Sequence, residues 1–197
     1  MPISKKQKEK IIPILINGGV GVVATDTIYG LVGSALMPKT VRRIYKLRRR
    51  EKKKPMIILI NSLDDLKLFG IRTGIRQKRI LKKLWPGKVS VILPCRSKKF
   101  AYLHRSAKTL AFRLPAKKEL RQLLEITGPL VAPSANLQGF NPASTIRQAR
   151  KYFKNKINFY VNGGYLSSSP STLVEIKGSR LIVRRAGAVK IPKGIGK

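Results

Sequence analysis

Short apolar runs that alternate with helical patterns constrain the fold of this chain more than any other feature. The runs at residues 20–24 and 56–60 are bounded by turn residues, and each has the length of a buried strand rather than of a helix. Between them, Pro38 stands at a typical first position of a helix whose apolar residues recur at helical spacing. This alternation predicts an α/β fold in which helices flank a sheet.

The same reasoning assigns the other elements. Helices are predicted over residues 4–17 with Ser4 as cap, 38–47, 62–69 with Ser62 as cap, 74–85, 117–126 and 144–153 with Ser144 as cap. Strands are predicted over residues 20–24, 56–60, 88–94, 110–114, 128–133 and 158–161, and over 172–176 and 180–183 as a hairpin.

Polar side chains collect where two of the predicted strands end. Thr25, Asp26 and Thr27 follow one apolar run, and Ser134 and Asn136 follow another. Ligands of open α/β sheets bind in the crevice beyond the strand ends. The run 42–54 lies between these turns in sequence and holds nine basic residues, a cluster that suits a polyphosphate. Together they predict an anion-binding site.

The overall charge of the chain also favours binding of an anionic ligand. The chain has 43 Lys and Arg against 8 Asp and Glu, which gives a net charge of +35. Such a field attracts nucleotides, RNA or acidic surfaces, although the basic residues are spread along the chain and a solvated lysine-rich surface explains them equally well. The few acids are scattered, which argues against a two-metal site or a paired-carboxylate hydrolase.

Several classes of protein are excluded by what the sequence lacks. With one cysteine and one histidine, an internal disulfide and a His-based zinc site are not expected, and we interpret Cys95 as a buried structural thiol. A Gly-x-Gly-x-x-Ala pattern at 19–24 lies inside an apolar run, so we do not interpret it as a dinucleotide site. With no membrane span or signal peptide visible, we expect a cytoplasmic protein with no membrane partner. We expect one domain over residues 1–197, with residues 190–197 as a flexible tail.

A set of ordered motifs resembles the YrdC-like threonylcarbamoyl-AMP synthase family. ATDTIYGL is similar to the family's PTDTVYGL signature, and IYKLRRREKKKPM to its block with a K-x-R motif. Further similar blocks are LWPGKVSVIL, LAFRLP, GPLVAPSANLQG, PSTLVEI and VRRAGA. The resemblance extends over nearly the whole chain and implies a single domain of the short type, with a twisted, open sheet of mixed parallel and antiparallel strands flanked by helices.

The resemblance also implies a reaction. Members of the family condense L-threonine, bicarbonate and ATP into threonylcarbamoyl-AMP and pyrophosphate, and partner proteins transfer the threonylcarbamoyl group to tRNA. A site for two anions and a pentacoordinate phosphorus calls for Arg, Lys and hydroxyl donors, which this basic chain offers. Mg²⁺ is expected to arrive on the ATP phosphates, with no dedicated protein site. Contact with tRNA or double-stranded RNA is a further expectation.

Site residues are carried over by motif position. The resemblance implies catalytic roles for Arg48, Arg50, Ser134 and Asn136; L-threonine binding by Thr27, Arg113, Ser134 and Ser171; and ATP binding by Arg50, Lys54, Thr109, Asn136, Ser144 and Arg185. We expect Arg113 to hold the threonine carboxylate through a bidentate contact. Each residue also has a structural interpretation: Thr25 and Ser171 as turn caps, Tyr29 as core, or Arg185 as partner of a surface acid.

Two departures from the family pattern concern the same site. Arg48 stands at the lysine position of K-x-R if Pro55 fixes the register, whereas Lys46 would require a shifted alignment. Leu59 stands where many relatives have histidine. Two other functions therefore stay open at this point: a non-catalytic RNA-binding domain, and a carbamoyltransferase relative of the same fold.

Overall fold

The computed structural model describes residues 3–51, 55–177, 180–192 and 194–195. Within these ranges nine strands form one sheet. The strands are β1 (Gly21–Ala24), β2 (Tyr29–Ser34), β3 (Ile57–Leu59), β4 (Val89–Pro94), β5 (Thr109–Arg113), β6 (Leu130–Val131), β7 (Phe159–Tyr160), β8 (Thr172–Lys177) and β9 (Arg180–Arg185). The helices are α1 (Lys5–Ile16), α2 (Pro38–Leu47), α3 (Asp65–Leu68), α4 (Ile75–Leu84), α5 (Ala101–His104), α6 (Lys118–Thr127) and α7 (Ile146–Phe153).

The sheet mixes parallel and antiparallel pairs, as predicted. Its order is β7-β1-β2-β6-β3-β5-β4-β8-β9. β1 with β7, β3 with β5 and β4 with β8 are parallel, whereas the other neighbours are antiparallel. The predicted fold class, an α/β domain with an open mixed sheet flanked by helices, is confirmed, and β8 and β9 form the predicted hairpin.

Helix ends agree with local chemistry in part. Ser4 caps α1 through a capping box with Gln7, and Pro38 begins α2, both as predicted. Ser62 and Ser144 are not caps. Asp65 accepts hydrogen bonds from the Asn61 and Ser62 amides at 2.7 and 3.2 Å, and Thr145, rather than Ser144, caps α7. At α7 the neighbouring Thr145 thus takes the cap position, whereas no side chain caps α3 and Asp65 bonds the amides that precede it.

The two faces of the sheet are covered unequally. Ile58, Phe112 and Val131 point to the larger core, where α2, α4, α5 and α7 pack. Leu59 and Leu130, one residue along the same strands, point to a smaller core under α1 and α6. This smaller core does not extend over β4, β5 and β8, whose residues on that face are half-buried: Ile92, Thr109, Ala111, Leu173 and Glu175. A cleft therefore opens beside α1 and α6.

Two findings concern the predicted tail, residues 190–197, and the expectation that the chain does not span a membrane. Ile191 and Ile195, within the predicted tail, are partly buried against the larger core. No helix in the described ranges has the length and apolar character required to cross a membrane.

Candidate functional site

The turn between β1 and β2 is held by the Thr25 hydroxyl. Its Oγ1 donates to the Ile28 carbonyl at 2.7 Å and accepts from the Thr27 and Ile28 amides at 3.1 and 3.3 Å. Thr25 therefore has the structural role of an ST-turn. The Thr27 hydroxyl lies 3.1 Å from that of Thr25, and both residues line the cleft. Tyr29 is fully buried, which agrees with its interpretation as a core residue.

Pairing of β2 brings the two polar turns together. Gly30 forms an antiparallel bridge with Ser134, and the Ala135 amide donates to the Tyr29 carbonyl at 2.8 Å. Thr27 and Ser134, more than 100 residues apart in sequence, consequently line the same cleft. β2 itself was not predicted, because it is buried on both sides and its glycines obscure the period of two.

Arg113 lies at the end of β5 and lines the same cleft. Its Nη1 donates to Thr27 Oγ1 at 2.9 Å, its Nε donates to the Gly87 carbonyl at 3.2 Å, and its Nη2 pairs with Asp26. Burial lowers the pKa of Arg113 to about 10, which still leaves the guanidinium charged at neutral pH. Arg113 is thus a fixed cation in the wall of the cleft.

Asp26 belongs to the polar turn from which the site was predicted, but the motif positions gave it no role. Its carboxylate pairs with Arg113 and also accepts from the Ala116 amide at 3.2 Å. Its location inside the TDT motif, as one of only 8 acids in a chain with 43 Lys and Arg, was the signal that could have identified it.

Arg185 and Ser171 form the opposite wall. Arg185 Nη2 donates to the Ser171 carbonyl at 2.8 Å, so the alternative interpretation of Arg185 as a partner of a surface acid does not match this contact. The Ser171 hydroxyl lies 2.8 Å from that of Ser90, a buried residue that sequence reasoning did not single out. Leu59, the second departure from the family pattern, also lines the cleft.

Arg48 follows the last residue of α2 and turns into the protein. Its Nε donates to the Asn136 carbonyl at 3.0 Å, and its Nη2 donates to Ser134 Oγ at 3.1 Å and to Asn136 Oδ1 at 2.9 Å. Lys46 is exposed, so the structure favours the register in which Arg48 occupies the lysine position of K-x-R. Burial, followed by repulsion from Arg50, lowers the pKa of Arg48 to about 10.

Arg50 adds a third cation near Arg48 and Arg185. Its Nη2 donates to the Pro55 carbonyl at 3.0 Å, and burial is the main cause of its lowered pKa. The charge of Arg50 also lowers the pKa of both Arg48 and Arg185, after the larger effect of burial in each. Arg50 therefore lies close enough to two other guanidinium groups to lower their pKa, and such a cluster of cations favours the binding of an anion.

Two predicted residues lie elsewhere, and a third is outside the described residues. Thr109 shares the open face of β5 with Arg113 but lies four residues away, about 13 Å along the strand. Ser144 lines a separate depression, where its Oγ donates to Gln148 Oε1 at 2.9 Å. Lys54 is outside the described residues. The nucleotide-binding roles of these three residues stay predictions.

Comparison with known proteins shows the family to which the chain belongs. A sequence model of the Sua5/YciO/YrdC family, described as "Telomere recombination", matches residues 13–187. The chain belongs to the Sua5/YciO/YrdC family. The family match covers the motifs from ATDTIYGL to VRRAGA except for the last residue of VRRAGA, so the predicted membership is confirmed.

Curated members of the Sua5/YciO/YrdC family have consistent names. The chain is 28% identical over 197 residues to a putative threonylcarbamoyl-AMP synthase of Methanocaldococcus jannaschii, with 97% of this chain and 92% of that protein covered. It is 28% identical over 177 residues to the threonylcarbamoyl-AMP synthase of Pyrococcus abyssi, where 87% of this chain matches. The chain spans only about half of that longer relative, 52%.

Solved Sua5/YciO/YrdC structures have the same fold. P. abyssi Sua5, crystallised with L-threonine, superposes with a TM-score of 0.86 at 26% identity, covering 95% of this chain and 56% of that chain. Escherichia coli YciO superposes with a TM-score of 0.83 at 23% identity, covering 95% and 92%. At that identity the YciO likeness supports the fold alone.

Proposed function

We propose that this protein is an L-threonylcarbamoyladenylate synthase, which condenses L-threonine, bicarbonate and ATP into threonylcarbamoyl-AMP and pyrophosphate. The observation that carries the proposal is the contact of Arg48 with Ser134 and Asn136 at 2.9–3.1 Å, beside the cleft wall formed by Arg113 and Thr27. A cationic cluster for a phosphate thus adjoins a cation and hydroxyls suited to a hydroxy amino acid.

Arg113 is the proposed ligand of the threonine carboxylate. An arginine offers five N–H groups, and the contacts to Thr27, Gly87 and Asp26 use three of them. One N–H remains on each of Nη1 and Nη2, and these are the proposed donors of a bidentate contact with the carboxylate. The hydroxyls of Thr27 and Ser171, on the same cleft, are the proposed partners of the substrate's own polar groups.

The chemical step joins an oxygen of threonine carbamate to the α-phosphorus of ATP. The carbamate forms from the threonine amine and bicarbonate with loss of water. Its oxygen then attacks the α-phosphorus, and the bond from that phosphorus to the bridging oxygen breaks, so that pyrophosphate leaves. Arg48, Arg50 and Arg185 would stabilise the negative charge on the pentacoordinate phosphorus.

Mg²⁺ fits this proposal as a companion of ATP. The described residues contain no cluster of three or more His, Cys, Asp or Glu side chains that could hold a metal ion. Asp26, the carboxylate that pairs with the cleft residue Arg113, also accepts from the Ala116 amide and is thus already engaged. Phosphate oxygens and water are therefore the proposed ligands, and the ion would neutralise the leaving pyrophosphate.

The decisive experiment is to incubate the purified protein with labelled L-threonine, bicarbonate, ATP and Mg²⁺. We expect threonylcarbamoyl-AMP and pyrophosphate in equal amounts, and no product when threonine or bicarbonate is omitted. Failure to form the adduct under these conditions, with a folded protein that binds ATP, would disprove the proposal. In the proposed function, partner proteins transfer the threonylcarbamoyl group of the product to tRNA. We propose the cytoplasm as the compartment in which the protein acts.

A further inference from the structure

A buried hydroxyl lies behind the cleft wall and contacts it at one point. Ser90 belongs to β4, is 0% exposed, and places its Oγ 2.8 Å from Oγ of Ser171, a residue that lines the cleft. Among the residues that the structure describes, Ser90 Oγ has no other hydrogen-bond partner. The proposed reaction gives Ser90 no role, so the purpose of this contact is open.

The direction of the hydrogen bond between the two hydroxyls follows from their burial. Each hydroxyl has one proton to donate and two lone pairs that accept. If Ser171 were the donor, the Ser90 proton would be buried with no acceptor within the described part of the chain, and an unsatisfied buried donor is costly. If Ser90 is the donor, Ser171 can still donate its own proton into the cleft. Ser90 therefore donates and Ser171 accepts.

The backbone around Ser171 leaves little other freedom. Its carbonyl accepts from Arg185 Nη2 at 2.8 Å, and the preceding carbonyl, of Pro170, accepts from the Ala188 amide at 2.8 Å. A Cβ at Gly187 would lie 2.3 Å from the Pro170 carbonyl oxygen, so this close approach of two segments requires glycine. Rotation of the Ser171 hydroxyl is the freedom that remains, and a hydrogen bond donated to it restricts that rotation.

We propose that Ser90 is a positioning residue, which holds the Ser171 hydroxyl as a hydrogen-bond donor towards an unprotonated oxygen of the substrate. This role rests on the proposed function, in which L-threonine lies in the cleft. Two oxygens have the required chemistry: that of the threonine carboxylate and that of the carbamate formed from the amine and bicarbonate. Arg113 and Arg185 line the same cleft and favour the same negatively charged group.

Loss of the Ser90 hydroxyl should act on substrate binding more than on folding. Ser171 lines the cleft, where water can supply the donor that Ser90 no longer provides, so the folded state loses little. The substrate, in contrast, would meet a hydroxyl that must first be oriented, and a group that is not preorganised binds more weakly.

The test compares Ser90→Ala with Ser90→Thr, which restores a hydroxyl. Isothermal titration calorimetry measures binding of L-threonine without ATP, and ATP–pyrophosphate exchange gives the KM for threonine and for bicarbonate. Ser34→Ala is the matched control, because Ser34 is also a buried serine of a strand, its Oγ accepts from the Leu36 amide at 3.3 Å, and it does not line the cleft. Thermal unfolding is recorded for every variant.

We expect Ser90→Ala to bind L-threonine about fivefold to tenfold more weakly, which is the effect of one lost hydrogen bond, with kcat changed by less than about twofold. Ser90→Thr and Ser34→Ala should stay within about twofold of the original affinity. Ser171→Ala should lose as much as Ser90→Ala, and the double variant should lose no more, because both hydroxyls act through one contact.

The calorimetry also identifies the substrate oxygen. Weaker binding of L-threonine alone would assign the Ser171 contact to the carboxylate. Unchanged threonine binding in Ser90→Ala, together with a KM for bicarbonate that rises by the same factor, would assign the contact to the carbamate.

Several results would overturn the role of Ser90 while leaving the proposed reaction intact. One is a Ser90→Ala variant in which both threonine binding and the KM for bicarbonate are unchanged. Another is additive losses in the double variant with Ser171→Ala, since the two hydroxyls would then act independently. A folded original protein that neither binds threonine nor exchanges pyrophosphate would refute the proposed function itself, and the role of Ser90 with it.

Discussion

Arg113 and Asp26 form a buried ion pair that joins the end of β5 to the turn between β1 and β2. The side chains are 4% and 9% exposed, respectively. Asp26 is not among the residues that line the cleft, whereas Arg113 is, so the carboxylate lies behind the guanidinium and holds it. The pair also compensates the charge of an arginine whose pKa burial lowers to about 10.

Asp26→Asn should therefore destabilise the protein and impair threonine binding together. Removing one partner of a buried ion pair leaves an uncompensated charge, which costs about 3 kcal/mol in the free energy of unfolding. Denaturant unfolding would measure this loss, and the KM for threonine should rise more than the KM for ATP. Asp64→Asn is the matched control, because its ion pair with Lys67 is exposed and its loss should leave unfolding unchanged. Equal stability of the two variants would contradict the role of Asp26.

Arg48→Lys tests whether the site accepts the residue that the family pattern has there. Lysine preserves the charge but replaces three directed contacts with one ammonium group, so we expect threonine-dependent ATP–pyrophosphate exchange within about tenfold of the original protein. Arg48→Ala should lose about 100-fold or more, because oxyanion stabilisation is worth that much. Arg42→Ala, an exposed arginine of α2, serves as the charge control. Equal activity of Arg48→Ala and the original protein would show that Arg48 has no role in the reaction.

Arg50→Ala and Asn136→Ala should each greatly reduce the same exchange. Arg50 contributes charge beside Arg48 and Arg185, and its loss should act mainly on the phosphoryl step by about 100-fold. Asn136 both accepts from Arg48 and donates to the Leu137 and Phe140 carbonyls at 2.8 and 2.6 Å, so its loss should disorganise Arg48. Near-normal exchange in either variant, measured with threonine and bicarbonate present, would refute the assignment of that residue.

Tyr29→Phe should lower stability without direct involvement in the reaction. The buried hydroxyl donates to the Gly164 carbonyl at 2.7 Å and accepts from the Gly163 amide at 2.8 Å. Its removal leaves both backbone groups without this partner, at a cost of about 1–2 kcal/mol in the free energy of unfolding. Tyr165→Phe provides the comparison, since Tyr165 is 72% exposed and should tolerate the change. Thermal or urea unfolding that does not separate the two variants would show that these contacts contribute little.

Local chemistry in the sequence was sufficient for much of the fold. The capping box at Ser4, the proline that begins α2 and the β8–β9 hairpin are all set by residues a few positions apart. Short apolar runs identified most strands for the same reason, and the ordered motifs identified the family. Local reasoning failed at Ser144, where the neighbouring Thr145 caps the helix instead, and at Ser62, where no side chain caps α3 and Asp65 bonds the amides of Asn61 and Ser62.

The sequence by itself thus determined the class of fold, the family and the arginine motif, because each depends on residues close together in the chain. Only the tertiary structure decided that Arg48 rather than Lys46 meets Asn136, because that choice depends on the backbone reversal at Arg49. It alone paired Asp26 with Arg113, 87 residues away, because the pairing depends on how β5 lies against the β1–β2 turn. Burial gives that distant contact its energetic importance, because a charge removed from water requires a partner, wherever in the chain that partner lies.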